Sequence, residues 1–386
     1  MSTIKTTMRD PTNLHDYAAL AHSVMDPQVW DTYAQGSEDE RTLRANERAW
    51  GDVWLRPRTL VDVTCCDTST TALGAALAFP AMIAPMSLQA LVHPEAERAT
   101  TRAANDAGVM MVASTLSSRS LEEIAAAAAG SAQPAPLWFQ LYLYPDAAFN
   151  EELLHRVERA GYRALVLTVD APYIGNRERD RHNQFTPPPA VSFGNFAAAP
   201  QVNWLTRGQR LPLTWDVIAW LRARTSLPIV LKGILTAEDA QRAVEAGVDG
   251  IAVSNHGGRQ LDGAMPTRYA LPEVVAAVDG RCEVYVDGGI RRGVDILRAL
   301  ALGARAVLIG RPVIWGLAAD GEEGVRAVLR ILRDELTLAL RLAGHTTVAT
   351  VDDRLIARIS PIGDRVDHDS AVRRTGSASE DAPCDE

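Results

Sequence analysis

The segment "VSNHGGRQLDG" (253–263) ends an apolar run with groups that can do chemistry. His256 can bind or release a proton near neutral pH, and Arg259 carries a guanidinium fork that suits a carboxylate. Gly257 and Gly258 remove two side chains between them. A single histidine after a strand is more often structural than catalytic, so the ends of the other strands decide the interpretation.

Lys232 is a second candidate functional residue, because lysine is rare in this chain. The chain contains 39 lysines and arginines, and only Lys5 and Lys232 are lysines. Lys232 ends the apolar run "PIVLKG", where a compact cation can stabilise negative charge on a cofactor or intermediate. A Schiff-base nucleophile is the competing use of a buried lysine.

Eight apolar runs of strand length alternate with helix-like segments. The runs are Ala81–Met86, Val109–Thr115, Leu137–Tyr142, Ala164–Asp170, Pro228–Gly233, Gly250–His256, Glu283–Gly289 and Ala306–Pro312. Uniformly apolar runs are typical of parallel strands that are buried on both faces. The alternation predicts an α/β protein with a (β/α)8 barrel. An open doubly wound sheet is disfavoured, because no glycine-rich dinucleotide-binding motif follows the first run. The absence of this motif also argues against an NAD-dependent dehydrogenase.

In such a barrel the carboxyl ends of the strands form the active-site face. Polar groups at these ends are Ser87, Ser114, Thr115, Gln140, Tyr142, Thr168, Asp170, Lys232, His256, Asp287 and Arg311. The last two ends, "DGGIR" (287–291) and "GR" (310–311), combine glycine with arginine where barrels often bind a phosphate. The alternative is that these glycines only form tight turns.

The rest of the chain has three predicted parts. Residues 1–79 form a helical cap on the barrel, which spans 80–363. Residues 184–212, long and proline-rich, form a lid after the fourth strand, and the polar tail 364–386 is disordered.

Composition excludes several classes. A net charge of −9 argues against nucleic-acid binding. Apolar windows are too short for a membrane span, and the N-terminus lacks a secretory signal, so we expect a cytoplasmic protein that does not bind membranes. The four cysteines have no metal-type spacing, so we predict no metal site.

The combined motifs "SNHGGRQLDG", "LTVDAP", "FQLYLY", "LKGILTAEDA", "VDGGIRRG" and "LIGRPV" resemble the FMN-dependent 2-hydroxy-acid oxidising enzymes, such as glycolate oxidase, lactate oxidase and mandelate dehydrogenase. The resemblance runs from about residue 16 to 344. It implies oxidation of a 2-hydroxy acid to a 2-oxo acid, with two electrons passing to FMN. Relatives are commonly tetramers, so it also implies a homotetramer.

The resemblance also implies residue roles. His256 is similar to the base, Asp170 to the carboxylate that stabilises its imidazolium, and Tyr142 to a phenol near the substrate's 2-oxygen. Arg177 and Arg259 resemble the pair that binds the substrate carboxylate. Lys232 resembles the lysine beside the flavin N1–C2 edge. Further FMN contacts implied in this way are Pro85, Met86, Ser87, Ser114, Gln140, Thr168, Asp287, Gly288, Gly289, Arg291, Gly310 and Arg311.

Three departures from the family pattern concern the substrate. Thr32 stands where the family usually has a tyrosine that helps to hold the substrate carboxylate. Met86 and Ser87 change the wall beside the flavin, and Leu116 replaces an aromatic residue of short-chain oxidases. We therefore expect a bulky or aryl 2-hydroxy acid.

Several alternatives remain open at this point. The substrate could be a 2-amino acid or a peptide-derived analogue. The protein could also be a non-oxidative FMN enzyme such as an isomerase, or a flavin-binding protein without activity. The reaction can proceed by hydride transfer or through a carbanion. Oxygen is favoured as the electron acceptor, with a quinone or a protein as the other choices.

Overall fold

The computed structural model describes residues 11–130, 135–196 and 213–358. Three helices come first: α1 (Leu14–Val24), α2 (Pro27–Ala34) and α3 (Arg41–Gly51). The helix α2 begins at a local signal, since the Asp26 side chain accepts from two backbone N–H groups and proline occupies the first helical position. A two-stranded antiparallel hairpin follows, with β1 (Thr70–Ala72) and β2 (Ala75–Leu77).

Eight parallel strands then close into a barrel, which confirms the predicted (β/α)8 fold. The strands are β3 (Ala81–Ile83), β4 (Met110–Ser114), β5 (Leu137–Leu141), β6 (Ala164–Thr168), β7 (Ile229–Ile234), β8 (Gly250–Val253), β9 (Glu283–Val286) and β10 (Ala306–Ile309). Each pairs with its neighbours in the chain, and β10 closes the ring against β3. Nearly every strand residue is buried, as expected where helices cover the outside and side chains fill the inside.

Helices cover the barrel. They are α4 (Glu97–Asp106), α5 (Leu121–Ala129), α6 (Ala147–Arg159), α7 (Glu178–His182), α8 (Asp216–Arg222), α9 (Ala237–Glu245), α10 (Thr267–Val278), α11 (Gly293–Ala301) and α12 (Arg311–Ala343). The helix α12 is broken at Asp320–Gly321. In the described ranges, each helix is too short or too polar to cross a bilayer.

The hairpin closes the amino-terminal end of the barrel, a feature that we did not predict from the sequence. Ala72 and Leu77 pack in the same buried cluster as barrel-interior residues such as Trp138. The Leu73 N–H donates to the Glu283 carboxylate at the start of β9, over 3.0 Å. Because this end is closed, the barrel can open only at the opposite, carboxyl-terminal end.

Residues up to Ile356 form one compact unit. The second unit begins at Ala357, and the structure describes only its first two residues. The predicted disordered tail therefore lies outside the described residues, as does the part of the predicted lid from 197 to 212.

Candidate active site

One cavity lies at the carboxyl ends of the barrel strands and brings together nearly all the predicted site residues. Its lining includes Pro85, Met86, Ser87, Ser114, Leu116, Gln140, Tyr142, Thr168, Arg177, Lys232, His256, Arg259, Asp287, Gly288, Gly289, Arg291, Gly310 and Arg311. Asp170 is outside the lining but contacts His256 directly. The barrel topology explains this convergence, because most of these residues lie at or just beyond the end of a strand, and Arg177 lies at the start of α7 in the connection that follows β6.

His256 and Asp170 form a hydrogen-bonded pair. Nδ1 of His256 lies 2.9 Å from Oδ1 of Asp170. A carboxylate accepts only, so we assign the proton to Nδ1, and this leaves Nε2 as an acceptor. Burial lowers the pKa of His256. Asp170 by itself raises this pKa, but the lowering by burial is larger. The imidazole is therefore neutral at pH 7 and able to accept a proton.

The backbone of "HGG" forms a left-handed turn. His256, Gly257 and Gly258 have φ angles of 58°, 64° and 74°. A Cβ on Gly258 would lie 2.5 Å from the backbone nitrogen of Leu43 on α3. The Gly258 carbonyl also accepts from the Ser37 N–H at 2.9 Å. Gly258 is thus required both for the turn and for the close approach of the N-terminal segment.

Lys232 is held in a buried polar cluster. Its Nζ lies 2.8 Å from Oγ of Ser254 and 3.2 Å from Oδ2 of Asp287. Burial lowers the pKa of Lys232, but Asp287 and Asp170 outweigh it and the pKa is raised. Lys232 is therefore an ammonium group at neutral pH. A Schiff base requires a neutral amine, so this environment favours the electrostatic role over the nucleophilic one.

Arg259 and Arg311 bind the carboxyl end of α2, a contact that the sequence did not signal. Nη1 of Arg259 donates to the carbonyls of Thr32 and Gln35, at 2.8 and 3.1 Å. Nη2 of Arg311 donates to Gln35 and to Gly257, at 2.9 and 3.1 Å. The last carbonyls of a helix lack intrahelical partners, and cations stabilise them.

Both guanidinium groups stay charged despite their surroundings. Burial lowers the pKa of Arg259 to about 10, and the charge of Arg311 contributes. Burial likewise lowers the pKa of Arg311 to about 10, with a contribution from Arg291. Within the described residues, Nε and Nη2 of Arg259 have no protein acceptor. That edge of the fork is available to an anion in the cavity.

Asp180 is a cavity residue that sequence reasoning missed. Its Oδ1 accepts a hydrogen bond from Oγ1 of Thr32 at 2.8 Å. Asp180 lies in the charged run "ERDRH" of α7, and such a run is typical of a solvent-exposed helix, so it did not indicate a site residue. The neighbouring Tyr33 does not replace the missing phenol, since its hydroxyl is hydrogen-bonded to the carbonyls of Ser87 and Leu88 at 2.8 and 2.9 Å.

Another part of the lining is apolar, formed by Leu116, Tyr144, Ile174, Phe185 and Phe193. Phe185 and Phe193 belong to the segment predicted as a lid. Asn195 anchors this segment by donating to the Thr115 carbonyl at 3.0 Å. The lining thus combines four arginines with an apolar part that carries three aromatic rings.

Comparison with known proteins decides the family. The family model described as "FMN-dependent dehydrogenase" matches residues 21–358. The chain belongs to the FMN-dependent dehydrogenase family. Its membership confirms the predicted FMN cofactor and the predicted class, an FMN-dependent 2-hydroxy-acid oxidase or dehydrogenase.

Relatives in this family differ in the acid they are named for. The chain is 47% identical to an L-lactate oxidase of Nostoc sp. over 359 residues, covering 90% of this chain and 98% of the relative. It is 45% identical to a glycolate oxidase of Spinacia oleracea, covering 90% and 95%. A solved mandelate oxidase variant bound to (S)-mandelic acid is 47% identical, with a TM-score of 0.83, and covers 90% of this chain and 98% of that one.

The cavity contains buried polar atoms that fit FMN. Nε2 of Gln140, Oδ1 of Asp287 and Nε of Arg291 have no hydrogen-bond partner among the described residues. An amide donor suits a flavin carbonyl, a carboxylate oxygen suits a ribityl hydroxyl, and a guanidinium suits a phosphate. All three line the cavity, so this family's cofactor would satisfy groups that the folded chain leaves unpaired.

Proposed function

We propose that the protein oxidises a bulky, aryl-bearing 2-hydroxy acid to the 2-oxo acid, with oxygen as the final electron acceptor. The substrate loses two electrons and two protons, and oxygen takes them up to form hydrogen peroxide. The observation that carries the proposal is that His256, hydrogen-bonded to Asp170, shares one cavity with Arg177 and Arg259.

Arg177 and Arg259 hold the substrate carboxylate in this proposal. The unpaired Nε and Nη2 edge of Arg259 supports this role, because a fork of two N–H groups matches two carboxylate oxygens. Tyr142, which is buried and lines the cavity, lies near the substrate's 2-oxygen. The carboxylate thereby fixes which carbon faces His256.

His256 is the base. Its neutral imidazole takes a proton at Nε2, and Asp170 stabilises the imidazolium that forms. The base removes the hydroxyl proton if a hydride leaves, or the α-carbon proton if a carbanion forms. Bound FMN supplies the two-electron acceptor. Lys232 holds a positive charge at the buried edge of the cavity, where reduction would place negative charge.

The residues that would bind the substrate side chain favour a bulky acid. Phe185 and Phe193 offer aromatic faces, and Leu116 adds apolar surface. Thr32 supplies no phenol, and its hydroxyl donates to Asp180. Every acid therefore lacks that hydrogen bond to its carboxylate, and a bulky side chain would compensate by covering the apolar wall, which a small acid would leave largely uncovered.

Anaerobic mixing of the purified holoenzyme with a panel of acids tests the substrate. We expect (S)-mandelate and 2-hydroxy-3-phenylpropionate to bleach the flavin absorbance fastest. Faster bleaching by glycolate or lactate would contradict the bulky substrate, and faster bleaching by phenylglycine would favour a 2-amino acid. Failure of every acid, with turnover of an isomerase substrate, would favour the non-oxidative alternative.

Readmission of air to the bleached enzyme tests the acceptor, because an oxidase recovers its colour and releases one peroxide per flavin. The homotetramer and the cytoplasmic location remain predictions from sequence. Light scattering of the purified holoenzyme tests the first, and fractionation of the producing cells tests the second.

A further inference from the structure

Asn195 is a buried side chain outside the cavity lining that the mechanism above does not use. It lies in the segment after β6, two residues beyond the cavity residue Phe193, and it is 1% exposed. Its Nδ2 lies 3.0 Å from the carbonyl oxygen of Thr115 and 3.2 Å from that of Ser114, at the end of β4. One amide therefore joins two connections that leave different strands of the barrel.

The orientation of this amide follows from its partners. The backbone nitrogen of Leu121, the first residue of α5, lies 2.8 Å from Oδ1 of Asn195. A backbone N–H can only donate, so the atom that faces it is the amide oxygen. The amide nitrogen is left to donate to the two carbonyls at β4 and to Oγ of Ser117, which lies 3.2 Å away. Asn195 thus binds the end of β4 and the start of α5 at once.

The backbone beside Asn195 also fits closely against the connection from β4 to α5. The Gly194 N–H donates to the Ser117 carbonyl at 3.0 Å. A Cβ on Gly194 would lie 2.3 Å from the carbonyl carbon of Arg119, so a side chain there would push the two segments apart. Main-chain and side-chain contacts therefore hold this segment in the same place.

Asn195 lies between the two parts of the apolar cavity wall. Phe193 precedes it by two residues, and Leu116 directly follows the Thr115 carbonyl that it binds. The next ring, Phe196, lies edge-on to Phe193 and to the cavity residue Tyr144, with centroids 6.3 and 5.4 Å apart. The hydrogen bonds of Asn195 therefore set the distance between the aromatic rings and the leucine of the wall.

We propose that Asn195 is a positioning residue that fixes the aromatic part of the cavity wall against the end of β4 and thereby sets the space for the substrate's side chain. Without its hydrogen bonds the wall opens between Phe193 and Leu116, and a bulky side chain loses contact with one of them. The carboxylate is bound as before, since Arg259 is held by the end of α2. This inference rests on the proposed function, in which the wall binds the side chain of a bulky acid.

The test measures the affinity of the FMN-saturated holoenzyme for benzoylformate and for pyruvate, by the change that each causes in the flavin absorbance. The two acids present the same carboxylate and oxo group, and their side chains are a phenyl ring and a methyl group. In Asn195→Ala we expect the Kd for benzoylformate to rise about tenfold and that for pyruvate to stay within about threefold of wild type. An unchanged benzoylformate Kd, or an equal rise for both acids, would overturn the proposal.

Asn195→Asp is the second variant and replaces alanine if Asn195→Ala fails to fold. It keeps an acceptor for the Leu121 N–H but turns an oxygen toward the carbonyls of Ser114 and Thr115, which cannot donate to it. We therefore expect the same selective loss of benzoylformate binding.

Asn105→Ala is the matched control. Asn105 is a buried asparagine of α4 that is not part of the cavity lining. It also joins two segments, because Nδ2 donates to the Ala128 carbonyl at 2.8 Å and Oδ1 accepts from the Ala135 N–H at 3.1 Å. Both Kd values should stay unchanged in this variant even if its melting temperature falls. A rise for benzoylformate as large as that of Asn195→Ala would show a general loss of stability and overturn the proposal.

Phe193→Ala separates failure of this inference from failure of the proposed function. If Phe193→Ala weakens benzoylformate binding and Asn195→Ala does not, the positioning role of Asn195 is wrong. If neither variant weakens it, the aromatic wall does not bind the side chain, and the proposed bulky substrate loses its structural basis as well. Reduction of the wild-type flavin by hydroxy acids is measured separately and bears only on the proposed function.

Discussion

Nδ1 of His256 and Oδ1 of Asp170 lie 2.9 Å apart, although 85 residues separate them in the chain and they follow strands β8 and β6. The contact fixes the imidazole tautomer and orients the free Nε2. Burial nevertheless lowers the pKa of His256. The pair thus combines a neutral base before the reaction with a carboxylate that stabilises the charge afterwards.

Asp170→Asn should lower kcat on the order of 10²-fold, because the imidazolium loses its counter-charge. Asp170 opposes the lowering of the His256 pKa, so its removal lowers this pKa further. The base works in its neutral form, so activity is lost as pH falls through that pKa. We expect the acidic limb of kcat/KM to lie below about pH 6.5 in the wild type and at lower pH in the variant. A limb that moves upward would contradict this electrostatic account.

Thr32→Tyr restores the phenol that the chain lacks. It should raise kcat/KM about tenfold, the effect of one hydrogen bond to a charged group, for lactate and mandelate alike, because both acids present the same carboxylate. Thr32→Val is the control, since it breaks the 2.8 Å contact with Asp180 without adding a phenol. An equal gain in both variants would attribute the effect to Asp180 instead.

Arg259→Lys should raise KM about 10- to 100-fold, because one ammonium cannot bind the substrate carboxylate and the end of α2 together. The contacts of Nη1 with Thr32 and Gln35 predict a lower melting temperature as well. Steady-state kinetics and thermal unfolding of the FMN-saturated variant check both effects. A raised KM with an unchanged melting temperature would mean that the α2 contact is unimportant for stability.

Gly289→Ala should destabilise the fold by more than Gly263→Ala. Both glycines are left-handed, with φ of 81° and 87°. A Cβ on Gly289 would lie 2.1 Å from the Asn46 carbonyl oxygen, whereas a Cβ on Gly263 meets nothing within 4 Å. We expect a loss of about 1–2 kcal/mol at Gly263 and roughly 1–3 kcal/mol more at Gly289. Denaturant unfolding measures both, and equal losses would refute the packing argument.

The barrel was predictable because buried parallel strands have a simple pattern. All eight apolar runs become strands, and their polar ends meet in one cavity. The hairpin was missed because its strands have three residues each, too few for a detectable alternation. A turn glycine, Gly74 with a φ of 77°, was the available signal.

Side-chain partners were harder to predict than side-chain location. Arg259 and Arg311 were expected to face ligands, and each also binds carbonyls of the α2 end. Asp180 lies in a charged run that is typical of a solvent-exposed helix. Ser254 is a single hydroxyl directly after a strand, and its sequence context does not indicate a partner. These contacts join segments more than 20 residues apart, so their partners follow from tertiary packing and have no local sequence pattern.

The rate of anaerobic flavin reduction by (S)-mandelate in His256→Gln tests the central claim most directly. Glutamine keeps polarity and approximate size but cannot act as a base near neutral pH. With FMN bound and mandelate saturating, the account predicts reduction about 10²- to 10⁴-fold slower than in the wild type. Reduction at a rate close to the wild-type rate would contradict the assignment of His256 as the base.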